Sequence, residues 1–192
     1  MNVLIIYAHP NPRSFNRAIL DVVEATLRER GHATQIHDLY QMRFRCVLDG
    51  EDLLGNWRGA LSDDVQREQD AVRWAQGLVL IYPVWWFGPP AILKGWIDRV
   101  FTRKFAFDID AGGMRGLLTH ERALIINTLG GDEVVYQQER WHELLVRPIA
   151  EGVLGACGVC NVDYQAFYQV LSVSHAERQA MLDKVRILVS GF

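Results

Sequence analysis

Cysteine is scarce in this chain. Its 192 residues hold three, Cys46, Cys157 and Cys160, an odd number and too few to staple a secreted fold, so a reducing compartment and a cytoplasmic protein are expected. Cys157 and Cys160 have the spacing of a redox pair, but they sit in a glycine-containing turn rather than at a helix N-terminus after a strand. Both are expected to be buried and inert. No second paired cluster of Cys or His accompanies them, which speaks against zinc or any other metal site. Charge of one sign is also lacking: 20 Lys and Arg against 23 Asp and Glu leave a net charge of −3 with no blocks. That excludes the basic footprint of a nucleic-acid or anionic-membrane binder. No apolar run approaches the roughly 20 residues of a membrane span, and no basic leader precedes the apolar residues that begin at Val3. The Gly-x-Gly-x-x-Gly fingerprint of a dinucleotide-binding strand and helix is absent too.

Short apolar runs are present in number. Residues 3–7, 78–82, 123–128 and 159–164 lack period-2 alternation, as strands buried on both faces of a parallel sheet do, and 34–38 reads as a further strand. Amphipathic segments lie between them, and the order predicts one α/β domain over residues 1–192 with helices on both faces. Helices are expected over 16–30, stopped by Gly31, from Ser62 with Asp63 and Asp64 in the first turn, and from Pro89-Pro90 to 101. Two more are expected over 138–154 and 175–189, while 40–61 and 103–118 read as irregular, glycine-bearing connections.

Three of the predicted loops carry chemistry. Tyr82-Pro83-Val84-Trp85-Trp86-Phe87-Gly88-Pro89-Pro90 puts bulky aromatics where a turn normally has small polar residues. Open α/β sheets bind ligands beyond the carboxyl ends of their strands. Aromatics exposed there suit a planar ligand, against the plainer reading that Trp85, Trp86 and Phe87 cap the core. The first strand opens into Ala8-His9-Pro10-Asn11-Pro12-Arg13-Ser14-Phe15-Asn16 at a helix start, where free amides and the dipole favour a phosphate beside Arg13, Ser14 and Asn16. Ser14 or Asn16 also reads as a simple N-cap, and His9 as a turn histidine. The fourth strand ends in Asn127-Thr128-Leu129-Gly130-Gly131-Asp132, whose glycines let backbone amides reach a ligand edge. A phosphate cradle, an aromatic wall and a bare backbone edge together describe a flavin site.

The residues from Pro83 to Phe101 strongly resemble the NAD(P)H:quinone oxidoreductase family of flavodoxin-like flavoproteins. Ala8-His9-Pro10, Ser14-Phe15-Asn16, Asp38-Leu39-Tyr40, and Gly130-Gly131 followed by Tyr136 and His142 extend the resemblance over residues 3–170. It implies a flavodoxin-like, doubly wound, five-stranded parallel sheet. It also implies that His9, Ser14, Phe15 and Asn16 contact the flavin phosphate and ribityl chain, and that the backbone of Pro83, Val84, Trp85, Trp86 and Phe87 holds the isoalloxazine. Thr128, Leu129, Gly130 and Gly131 would lie along the pyrimidine edge, and Asp98 matches an acidic position near the cofactor. Trp86 and Phe87, with Phe107 from the other subunit of a homodimer, would wall the substrate pocket. Tyr136 and His142 would answer the negative charge that gathers at the pyrimidine edge on reduction, as a histidine can at neutral pH; without the resemblance both read as surface-helix residues beside Glu139, Arg140 and Glu143.

The activity so implied is a two-electron, ping-pong hydride transfer from NAD(P)H through the flavin to a quinone-like planar acceptor. FAD is the expected flavin. FMN stays open, because the chain stops at Phe192 and residues 49–62 look shorter than in the longer animal members. A second reading from the same relatives is a regulatory flavoprotein subunit of a potassium-efflux-type transporter. A third, a flavodoxin-like electron carrier, fits less well, since carriers are strongly acidic and need no substrate pocket.

Overall fold

The computed structural model describes residues 1–192. In chain order the elements are β1 (Asn2–Tyr7), α1 (Phe15–Glu29), β2 (Ala33–Asp38), α2 (Gly50–Arg58), α3 (Asp63–Trp74), β3 (Gly77–Pro83) and α4 (Ala91–Val100). The hairpin β4 (Phe107–Asp110) and β5 (Gly113–Gly116) follows, then β6 (Arg122–Thr128), α5 (Glu133–Gln138), α6 (Trp141–Ile149), β7 (Val162–Phe167) and α7 (His175–Ser190). Five strands form one sheet in the order β2-β1-β3-β6-β7, every pair parallel. The expected flavodoxin-like α/β sheet is therefore what the chain builds.

Burial explains the missing alternation. All seven residues of β3 are buried, as are the last five of β1. Successive side chains point to opposite faces, so Leu4, Ile6, Leu78 and Leu80 join a core with Leu93, Trp96 and Val100 of α4, while Val3, Ile5, Val79 and Ile81 join one with Ile19, Val23, Val185 and Val189 of α1 and α7. Winding runs outward from β1 in one direction and from β3 in the other. The crevice at that reversal, beyond the strands' carboxyl ends, is where such sheets bind ligands.

Four local expectations need correction. Residues 40–61 contain α2, which Asp49 caps by accepting from the Glu51 and Asp52 amides while Asp52 returns a bond to the Asp49 amide; Gly59, at φ 71°, ends it. Residues 103–118 contain the β4-β5 hairpin, turning through Ala111 and Gly112, with Gly113 at φ 103°. The helix expected over 138–154 is interrupted at Arg140, which stands in the left-handed region at φ 57° and so separates α5 from α6. Pro148 then removes a donor inside α6, and residues Ala150–Gly155 wind as a wider turn with bonds five residues apart, such as Ala156 N–H to Glu151. The last strand begins at Val162, three residues later than its apolar run. Val159 is fully buried but donates to Leu154, closing the helix end rather than pairing with β6.

The thiols divide. Cys157 is buried and its pKa is pushed up to about 11 by that burial, as expected of an inert thiol, whereas Cys160 is exposed, contrary to expectation. On the same side of the sheet as Cys157, Arg99 of α4 is wholly buried yet fully paired. Its Nε and Nη2 donate to Asp52 at 2.9 and 3.0 Å, and Nη2 also reaches Asp64 at 3.1 Å and Ser62 at 3.1 Å. The guanidinium beside them holds both carboxyl groups below the usual range. One cation thereby fastens α2 and the start of α3 to the helix that follows the aromatic loop.

Candidate active site

One cavity of about 730 Å³ opens at the carboxyl end of the sheet, lined by residues of the loops after β1, β3, β6 and β7. The three loops singled out from sequence do converge. His9, Ser14, Phe15, Asn16, Pro83, Val84, Trp85, Thr128, Leu129 and Gly130 all line it. The join is held by bonds between loops. Val84 N–H donates to the Thr128 carbonyl at 2.8 Å, and Asn16 Nδ2 donates to Thr128 Oγ1 at 2.6 Å.

At the first loop Ser14 caps α1, accepting from the Arg17 amide at 3.2 Å, and the Tyr7 hydroxyl lies 3.2 Å from the same oxygen. Both of its sequence readings are compatible with this position, since a serine cap leaves the other early amides of α1 unmet. Asn16 is not the cap. It is 2% exposed, and while its nitrogen is satisfied its Oδ1 is buried without a partner. An acceptor stranded beside a cavity is costly unless a ligand donor meets it, and a polyol chain leading to a phosphate would supply one. Arg13 and Arg178 line the same cavity with no carboxylate paired to either guanidinium; Arg178 donates only to the Val170 carbonyl at 3.3 Å. His9 accepts from the Asn11 amide at Nδ1, 3.0 Å away, and burial lowers its pKa, so its ring is neutral with its N–H on Nε2.

The aromatic loop is a tight turn. Trp85 and Gly88 exchange N–H···O bonds of 3.0 and 3.1 Å, and the two residues between them, Trp86 and Phe87, have φ of 49° and 62°. Both central residues with positive φ are what a type I′ turn requires, a place usually taken by Asn-Gly. Each bulky residue there costs about 1–2 kcal/mol, and strain of this kind collects at functional sites. The turn sends its rings in three directions. Trp85 lines the cavity and tilts against His9 at 6.3 Å; Trp86 is 97% exposed; Phe87 meets Tyr136 at 5.9 Å and Trp141 at 5.4 Å.

Gly130 and Gly131 serve different needs. Gly130 lines the cavity, and a Cβ there would meet nothing nearer than Leu171 at 3.7 Å; at Gly131 it would lie 2.5 Å from the Tyr136 ring. Gly131 is thus what allows Tyr136 to fold back over the loop. Tyr136 packs with Leu129, Leu145 and Tyr168, and His142 Nδ1 lies 2.8 Å from the Tyr168 hydroxyl. Val84 and Leu129 belong both to the cavity wall and to this cluster, so Tyr136 and His142 stand behind the cavity's edge rather than lining it.

Trp86, Phe87, Gly131, Tyr136 and His142 adjoin the cavity's loops without lining it, and two expected site residues, Asp98 and Phe107, belong to other elements altogether. Asp98 lies on α4 and pairs with Lys94 at 2.6 Å, and Phe107 begins the hairpin, packed against its own chain's core. Sequence reasoning missed the fourth wall, where His175, Arg178, Gln179 and Leu182 of α7 and Val170 and Leu171 before it complete the cavity. Its signal was legible: Ser174 and Glu177 form a capping box at the start of α7. Trp141 and Tyr168 were missed as well, and no local pattern marks them.

The comparisons bear on the fold and the family. The model of a family described as having a flavodoxin-like fold matches residues 1–188. The uncharacterized NAD(P)H oxidoreductase of Haemophilus influenzae is 36% identical over 184 residues, 95% of this chain and 91% of that one. The mouse ribosyldihydronicotinamide dehydrogenase [quinone] is 32% identical over 200 residues, 94% of this chain and 87% of its own. The structure of the NAD(P)H:quinone oxidoreductase from Methanothermobacter marburgensis superposes with a TM-score of 0.88 at 32% identity, covering 99% of this chain and 96% of that one. With a flavodoxin-like sheet, a cavity at its switch point and relatives of this similarity over nearly its whole length, the chain belongs to the flavodoxin-like NAD(P)H:quinone oxidoreductase family.

Proposed function

We propose that the protein is a flavin-dependent NAD(P)H:quinone oxidoreductase in which a nicotinamide and a planar, quinone-like acceptor use one slot in turn. The observation that carries this reading is the single cavity that joins a phosphate-suited helix start, the stranded Asn16 oxygen and the strained aromatic turn. When bound, the flavin supplies reversible hydride chemistry, and the protein supplies binding, orientation and charge.

Ser14, Phe15 and Asn16 would hold the phosphate and ribityl end, with the early amides of α1 as donors. Pro83, Val84 and Trp85 would border the ring system, and Thr128, Leu129 and Gly130 its pyrimidine edge. Tyr136 and His142 would present donors toward that edge from behind Leu129. Trp86 and Phe87 would wall the acceptor slot. FAD is preferred over FMN because the cavity continues past Ser14 to Arg178 and Gln179, and two unpaired guanidiniums suit a pyrophosphate. We further read the protein as one cytoplasmic domain acting as a homodimer in which Phe107 and the exposed Ile109 and Met114 of the hairpin reach the partner; no helix is long and apolar enough to cross a membrane.

The test is spectroscopic. Purified protein incubated with FAD or FMN and then desalted should keep the yellow colour of FAD and bleach on anaerobic addition of NAD(P)H. Failure to retain a flavin, or a retained flavin that NAD(P)H leaves oxidised, would overturn the proposal. In stopped flow, His142→Ala should slow the bleaching about 100-fold, the lower end for a positioned proton donor; an unchanged rate would remove His142 from the reaction.

A further inference from the structure

We propose that Tyr168 is a positioning residue that fixes the tautomer of His142: its hydroxyl donates to Nδ1, so the neutral imidazole carries its proton on Nε2, the nitrogen that no group of the chain engages. The kinetic part of this inference rests on the proposed role of His142, whereas the tautomer itself does not.

The Tyr168 oxygen and His142 Nδ1 are 2.8 Å apart, although 26 residues separate them in the chain. The phenol is buried with Leu129, Leu145 and Ala166, and its hydroxyl has no other hydrogen-bond partner in the protein. Burial pushes its pKa up to about 12, so it keeps its proton at neutral pH. That proton has one acceptor within reach, the lone pair of Nδ1. In the opposite arrangement Nδ1–H would donate to the phenol oxygen, and the proton of this part-buried hydroxyl would have no acceptor within the chain, an arrangement that forfeits a hydrogen bond. The tautomer of a histidine is set by the bond its other nitrogen makes, and here that bond leaves Nε2–H. Nε2 itself makes no hydrogen bond within the chain.

Two further contacts limit how the imidazole can turn. The Tyr164 ring meets it edge-on, with centroids 5.7 Å apart and planes at 83°. The Tyr168 ring also packs against Tyr136 at 5.6 Å, so one buried phenol braces both residues expected behind the pyrimidine edge. Tyr168 follows directly on β7, the strand beside β6, and so takes its position from the sheet rather than from the helices that carry Tyr136 and His142.

The experiment is a long-range 1H–15N correlation spectrum of the FAD-loaded, 15N-histidine-labelled protein, with the His142 signals assigned by their loss in His142→Gln. The wild-type protein should show an unprotonated Nδ1 and a protonated Nε2. Tyr168→Phe should populate both tautomers and slow flavin reduction by NAD(P)H about two- to tenfold, the rate equivalent of one neutral hydrogen bond. A protonated Nδ1 in the neutral wild-type ring overturns the inference even if Tyr168→Phe does not fold. So does a Tyr168→Phe protein whose tautomer or reduction rate is unchanged. A kinetically silent His142→Ala alongside an Nε2–H wild type would overturn the catalytic reading of His142 and leave the tautomer assignment standing.

Discussion

Trp86→Asn is expected to make the protein more stable and a poorer quinone reductase. Trp86 is 97% exposed at φ 49°, so within one chain its ring gains almost nothing from burial while its backbone sits where L-residues are strained. The left-handed conformer costs a bulky residue about 1–2 kcal/mol, and Asn tolerates it far better because its short side chain bonds locally. Little is lost on removing an exposed ring, so the net gain is about 1 kcal/mol. For a chain of this length that corresponds to a rise in Tm of about 2–4 °C. If the ring walls the acceptor slot, its removal forfeits a stacking contact of about 0.5–1.5 kcal/mol, a fall of roughly two- to tenfold in kcat/KM for a quinone. Thermal and urea unfolding of the flavin-free protein, run at two protein concentrations, together with steady-state quinone reduction, measure both sides. A loss of stability of 1 kcal/mol that does not vary with concentration would refute the reasoning, since it would mean the ring is buried within a single chain.

Asp52→Asn should cost about 3 kcal/mol in urea unfolding, because it leaves the wholly buried Arg99 short of one of its two carboxylate partners; a cost under 1 kcal/mol would show that Asp64 alone suffices. Both carboxyl groups have lowered pKa values, chiefly through the Arg99 hydrogen bond. Their contribution is therefore fully present above the unfolded value of about 4 and is lost as pH falls below it, so wild-type stability should drop below about pH 4 with a shallower slope in Asp52→Asn. Among the thiols, Cys160 should react with a disulfide reagent in the folded protein and Cys157 only on unfolding, since burial holds the Cys157 thiol protonated; equal rates would contradict the burial that separates them.

The reach of sequence reasoning here follows how local each signal is. Uninterrupted apolar runs at 3–7, 78–82 and 123–128 mark strands buried on both faces, because nothing on either side of the sheet asks for a polar residue. The run at 159–164 misled by the same logic: Val159 is apolar because the core takes it, not because a strand does. Residues 138–154 form an amphipathic pattern, and a residue type such as Arg140 gives no warning that it will adopt a left-handed φ and split the helix. The helix that Ser174 caps was read from sequence at 175–189, whereas the capping box at Asp49 was readable but its glycine-rich surroundings obscured it.

By itself, then, the sequence determined the strand-helix alternation, and through it the switch point and the three loops that meet there, since each rests on residues adjacent in the chain. Only the tertiary structure decided the fourth wall on α7, the stranding of Asn16 Oδ1 once Thr128 takes its nitrogen, the opposed duties of Gly130 and Gly131, and the pairing of Tyr168 with His142. Each of these is a contact between residues far apart in sequence. Their partners are chosen by strand order and by the direction a side chain leaves the sheet, and neither is written in any short stretch of residues.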